Sequence, residues 1–130
     1  MDIEALIDTN IFLEVILRQQ RFALCESILR EKEKQIGISD FSLHSIGIDL
    51  FRRHREDAFL KFLEDIEGLV TVLELELKDY SKIYENHKRH HLDYDDSYQL
   101  TVAEVFDIEI ITLDSDFRGL DSPVKISIIR

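Results

Sequence analysis

A short apolar run, Ala5-Leu6-Ile7, stops at Asp8-Thr9-Asn10, and a segment with helical apolar spacing (Ile11, Phe12, Val15, Ile16) follows at once. A buried strand that ends in a carboxylate and turns straight into a helix narrows the choice of folds. It suits a parallel sheet whose crossovers are helices, and it holds the carboxylate at the carboxyl edge, where open α/β folds place their ligands. The rest of the chain repeats the alternation. Strands are predicted at residues 3–8, Ile36–Ser39, Val70–Leu73, 108–113 and Lys125–Ile129.

Helical spacing fills the gaps between these runs. The first helix breaks at Arg18-Gln19-Gln20-Arg21. A second runs to about Lys34, with Phe22, Cys25, Ile28 and Leu29 on one face. A third follows Ser39, with Ser39, Asp40 and Ser42 all suited to its N-cap and Leu43, Ile46 and Leu50 keeping the spacing. A fourth carries Phe59, Phe62, Leu63 and Ile66 and ends at Gly68. A fifth spans Leu77 to about His90, with Leu77, Tyr80, Ile83 and Tyr84 expected inward. Asp95 or Asp96 is expected to cap a sixth, and Ser115 to Leu120 reads as a short helical turn. The expected architecture is a three-layer α/β/α domain around a parallel sheet of about five short strands.

A chain of 130 residues fits one domain with a real core. Its net charge of −11 argues against a broad nucleic-acid-binding surface, because phosphate affinity normally rests on Lys and Arg. The one cysteine, Cys25, rules out an internal disulfide and points to a reducing, cytoplasmic setting. No run of about 18 apolar residues is present, so no membrane span is expected, and the N-terminus lacks the order of a signal peptide.

Two later segments present carboxylates as Asp8 does. Asp96 opens an apolar helix, and Asp114 and Asp116 follow the apolar run that ends at Thr112-Leu113. Four carboxylates brought by separate elements to one edge would form a divalent-metal site. Mg²⁺ is a hard ion commonly held by one or two carboxylates and several waters. Each acid also has a plainer role open to it. Asp8 and Asp96 suit helix N-caps, and Asp114 and Asp116 suit a turn.

Taken together, Asp8-Thr9-Asn10, the helix Asp96-Ser97-Tyr98-Gln99-Leu100-Thr101-Val102-Ala103, and the turn Thr112-Leu113-Asp114-Ser115-Asp116-Phe117 resemble the PIN-domain family, and within it the VapC-type toxin ribonucleases. The resemblance implies a small α/β/α nuclease that binds Mg²⁺ or Mn²⁺ through clustered acids and cuts RNA. It also implies a homodimer and an inhibitory antitoxin partner. It assigns Asp8, Asp96, Asp114 and Asp116 to metal binding and catalysis, with Thr9, Asn10 and Thr112 in support. One position departs from the pattern. The family places a Glu in the helix after the second strand, where this chain has Ser45, with His44 beside it and Asp49 the nearest acid further along.

Other polar groups carry two readings. Lys88-Arg89-His90-His91 could touch RNA phosphate, or could simply complement a helix C-terminus. Arg52-Arg53-His54-Arg55 is similarly a solvated helix end or a phosphate contact. Among whole-protein alternatives, Ser45 and the acidic charge favour a PIN-like module weakened in catalysis and used for binding or regulation. A haloacid-dehalogenase-type phosphotransferase also places an Asp after its first strand, but needs a second Asp at the position of Asn10. Apolar residues of the first two helices, such as Phe12 and Phe22, are the positions that the expected dimer would use.

Overall fold

A computed structural model of the chain describes residues 2–32 and 35–130. Five parallel strands form one sheet: β1 (Ala5–Ile7), β2 (Ile36–Ser39), β3 (Val70–Leu73), β4 (Glu109–Thr112) and β5 (Ile126–Ile128), in the order β3-β2-β1-β4-β5. The first strand of the chain is therefore the central one. Leu6 lies opposite Gly37 of β2 and Ile110 of β4, and this register brings the ends of β1 and β4 level.

Helices connect the strands: α1 (Thr9–Ile16), α2 (Phe22–Glu31), α3 (Asp40–Arg52), α4 (Glu56–Ile66), α5 (Tyr80–His90) and α6 (Tyr94–Phe106). Both faces of the sheet are covered, and the period-two alternation of strand side chains separates two cores. Leu6 and Ile110 pack with Ile83 of α5 and Leu100 of α6. Ala5, Ile7, Ile38 and Ile111 pack on the other face with Phe12, Ile46, Leu50 and Phe62 from α1, α3 and α4. The expected three-layer α/β/α arrangement is present.

Several local expectations are corrected. The helix expected to run to Lys34 ends at Glu31, and Glu33 and Lys34 lie outside the described residues. A 3-10 turn, Leu77–Asp79, precedes α5. Leu77, Tyr84 and Tyr80 are exposed, at 88%, 65% and 40%, while Ile83 and Asn86 turn inward. Asn86 is buried because its amide donates to Thr101 Oγ1 and Glu104 Oε1 of α6, so a polar contact sets the helix's rotation. The cap of α6 is Asp93, not Asp95 or Asp96: Asp93 is extended, and its carboxylate accepts from Asp96 N at 3.0 Å. Asp96 thus falls in the first turn, and its carboxylate is not used as the cap. Gly68 follows the end of α4 with φ +78°, the left-handed conformation expected of a helix stop.

Phe12, expected near an interface, is core: its ring meets Phe62 edge-on at 5.6 Å. Phe22 is half-buried beneath the Arg18 guanidinium, 4.9 Å from the ring centroid. No helix among the described residues is long and apolar enough to cross a membrane.

Candidate metal centre

The carboxyl ends of β1 and β4 lie side by side, and Asp8 N bonds to Ile111 O at 2.9 Å. After β4 the chain makes a tight turn. Thr112 Oγ1 accepts from Asp114 N, and Asp114 Oδ1 accepts from Asp116 N, both at 2.9 Å. Phe117 then inserts into the core and pins the turn. The N-terminus of α6 reaches the same edge. Asp96, Asp114 and Asp116 each offer an oxygen, and these oxygens lie within 4.8 Å of one another. None of the three pairs with Lys or Arg among the described residues.

This crowding shows in the proton affinity of Asp96. Burial, followed by the charges of Asp114, Asp93 and Asp8, pushes its carboxyl up to about 8. Burial and the charges of Asp93 and Asp8 also raise Asp95. Acids held together without a counter-charge suit a hard divalent cation, and the all-oxygen donor set matches Mg²⁺ or Mn²⁺ chemistry.

Asp8 stands outside the trio. It is buried, and its carboxylate is fixed by three donors: Thr9 N at 2.8 Å, Gln99 Nε2 at 2.9 Å and Thr112 Oγ1 at 2.6 Å. It therefore caps α1, as the plainer reading had it, while its charge still acts on Asp96. Thr9 and Thr112 each touch this arrangement; Asn10 is exposed.

The sequence offers Ser42 only as a cap and Gln99 only as part of the α6 motif, and gives no sign that the two meet beside Asp8. Gln99 is fully buried, and its amide donates to Asp8 Oδ1 and, at 2.7 Å, to Ser42 Oγ. Ser42 Oγ also accepts from Ser39 Oγ, which leaves its proton for Thr9 Oγ1, 2.7 Å away. Gln99 Oε1 has no hydrogen-bond partner among the described residues. The amide keeps this orientation because the reverse would set its oxygen against the Asp8 carboxylate. Gln99→Glu should therefore destabilise the protein at pH 7 by a few kcal/mol, since it sets a second buried charge beside Asp8. Thermal melts at pH 7 and pH 5 check this; an equal loss at both pH values would mean that shape, not charge, is at fault.

The remaining candidates lie along α3. Ser39 is the N-cap, accepting from Ser42 N at 3.0 Å. His44 is exposed and Ser45 half-buried. Asp49 is tied to Arg53, with 2.8 Å between Oδ2 and Nε, at a cleft shared with Asn10 and Leu113. Asp40 accepts from Tyr98 Oη at 2.5 Å. The basic stretch from Lys88 to His91 ends α5, with all but His90 exposed.

A family model for the PIN domain matches residues 5–123. The chain belongs to the PIN-domain family. This membership sets aside the phosphotransferase alternative. No curated protein matches the chain by sequence. Among solved structures, the PIN domain described here is similar to the Mycobacterium tuberculosis VapC20 sarcin-ricin-loop-cleaving toxin, with a TM-score of 0.76 and 17% identity over 88% of this chain and 92% of that one. It also resembles a toxin-antitoxin complex from Klebsiella pneumoniae, with a TM-score of 0.74, 20% identity and 95% and 100% coverage. A third similar structure is VapBC2 of Rickettsia felis bound to a promoter DNA fragment, with a TM-score of 0.74, 13% identity and 96% and 98% coverage. At these identities the likeness is one of fold.

Proposed function

We propose that this PIN domain is a metal-dependent endoribonuclease of the toxin type, and that its reaction takes place at Asp96, Asp114 and Asp116. The observation that carries the reading is the convergence of these three carboxylates, without a basic partner among the described residues, at the edge where α/β sheets bind ligands. They would hold Mg²⁺ or Mn²⁺, with Asp8 adding negative charge from behind. The ion's contribution when bound is positive charge that acidifies water and offsets the charge building on a phosphate. The protein's own contribution is rigidity. Thr112 fixes Asp8 and the Asp114 turn together, and the Asp93 cap sets the first turn of α6, from which Asp96 projects.

The expected result is cleavage of end-labelled RNA with added Mg²⁺ or Mn²⁺, abolished by EDTA. RNA left intact at every metal concentration would leave the second reading, a PIN module weakened in catalysis, which Ser45 favours. A cytoplasmic setting fits the single cysteine, Cys25, which is buried in the core.

The proposed partners are an antitoxin and a second copy of the chain. A groove of about 630 Å³ between α1, α2 and α4 is lined by apolar residues such as Phe22, Leu29 and Phe62 and by the charged Arg18, Arg30, Arg55, Lys61, Glu26 and Asp65. Apolar within and bordered by charges of both signs, Arg30 being paired with Glu26, it suits an amphipathic helix of an antitoxin. Light scattering of the isolated chain should give the mass of a dimer. A monomer across a wide concentration range would remove the second copy from the proposal.

A further inference from the structure

All four tyrosines of the chain fall within residues 80–98, and three of them form one cluster with Phe41. Tyr98 is the buried centre, its hydroxyl held by Asp40. Phe41 lies 5.7 Å from it, Tyr80 meets it edge-on at 6.1 Å, and Tyr94 lies 6.3 Å away, tilted by 33°. Yet Tyr94 and Tyr80 remain 54% and 40% exposed. Rings supported from behind and open in front are rigid platforms with half of their contact surface unused.

Their place in the fold is informative. Along the carboxyl edge, Asp114 and Asp116 follow β4, Asp8 follows β1, Asp40 and Phe41 follow β2, and Tyr80 follows β3. Tyr94 opens the helix whose first turn carries Asp96. The edge thus runs from acids to aromatics with α6 spanning both. We propose that Tyr94, flanked by Tyr80, stacks against an unpaired base of the RNA strand whose phosphate lies at the acidic trio. This rests on the nuclease reading above and adds to it a base-stacking platform beside the acids, carried by Tyr94 and Tyr80.

Charge decides which contact such a strand can use here. At −11, with Asp8, Asp40 and Asp95 on or beside the path, the chain repels phosphate along this edge. Affinity must then come from a contact that ignores charge. Base stacking on aromatic rings is such a contact, and a duplex, whose bases are already stacked, cannot use it.

The chain has no tryptophan, so its intrinsic fluorescence comes from these tyrosines. The probe is a short oligouridylate, titrated into the Asp96→Asn protein so that nothing is cut. Quenching by the single strand, but not by a duplex of the same length, is expected. Tyr94→Ala in that background should weaken binding about tenfold, whereas Tyr94→Phe should stay within about twofold. Equal affinity for the Ala variant and its parent would overturn the stacking site even if the wild-type protein cuts RNA. So would a Tyr94→Ala protein that changes from dimer to monomer with RNA affinity unaltered, since the patch would then join two copies. Failure of the nuclease reading is distinct: the wild-type protein would leave RNA uncut whatever occupies position 94.

Discussion

Asp96→Asn is expected to abolish RNA cleavage and, in the absence of metal, to make the protein more stable. The two effects share one cause. Burial and the charges of Asp114, Asp93 and Asp8 raise the Asp96 carboxyl to about 8, so ionising it in the folded protein is costly. In the unfolded chain the same group titrates near its ordinary value of 3.8. Below that pH both states hold the proton. As pH rises toward 8, the unfolded state releases it and the native state retains it, so metal-free stability declines across this window. Each pKa unit corresponds to about 1.4 kcal/mol, and the decline should be on the order of a few kcal/mol. Asparagine has the same size and no charge, and the Asp93 cap bonds to the backbone N of residue 96, which the substitution keeps. The variant should therefore melt higher than wild type in EDTA at pH 8, with the gap closing near pH 4. Mg²⁺ should stabilise wild type and barely move the variant. Unchanged cleavage, or a variant that melts lower at pH 8, would remove Asp96 from the cluster.

Ser45→Glu should increase the rate of RNA cleavage about tenfold, which needs only about 1.4 kcal/mol of barrier reduction. The face of α3 that meets the site begins at Ser42, which contacts both Thr9 and Gln99. Two turns on, Asp49 lines a cleft with Asn10 and Leu113, the residue before Asp114. Ser45 lies between them on the helix and supplies no charge. The other acids of α3 are occupied, Asp40 by the Tyr98 hydroxyl and Asp49 by Arg53. A glutamate at position 45 would be an added carboxylate with no partner already assigned to it. Single-turnover cleavage against Mg²⁺ or Mn²⁺ concentration, for wild type and variant, measures the gain. If neither rate nor metal dependence moves, Asp49→Asn is the next variant, and its Arg53 pair must then open for the acid to serve.

The strands could be read from sequence because each is a short apolar run bounded by turn residues, and in a sheet covered on both faces such runs have few other interpretations. The three clustered acids were legible for a related reason, since each follows a strand or opens a helix. What escaped was the polar interior. From Asp96 to Ala103 every residue of α6 is buried, Ser97, Gln99 and Thr101 included, because the helix lies between the sheet, α5 and the turn after β4. Residues of that kind at alternate positions give no apolar stripe, so periodicity could not show that Gln99 reaches Asp8. The cap of α6 was misplaced because Asp93, Asp95 and Asp96 are chemically alike, and only the extended backbone at Asp93 distinguishes them. Tyr84 was placed inward on spacing alone, and the buried amide of Asn86 decided otherwise.

The central position of β1 has a consequence for biosynthesis. Asp8 is made before its partner Thr112, which lies 104 positions later, and β4 must pair beside β1 before the two can meet. Contacts so distant in sequence form late, after a large loop-closure cost. A nascent chain still threaded through the ribosome at residue 110 contains Asp8 and Asp96 but lacks Asp114 and Asp116. The proposed metal site would therefore stay incomplete during synthesis until the turn after β4 had emerged and β4 had paired with β1.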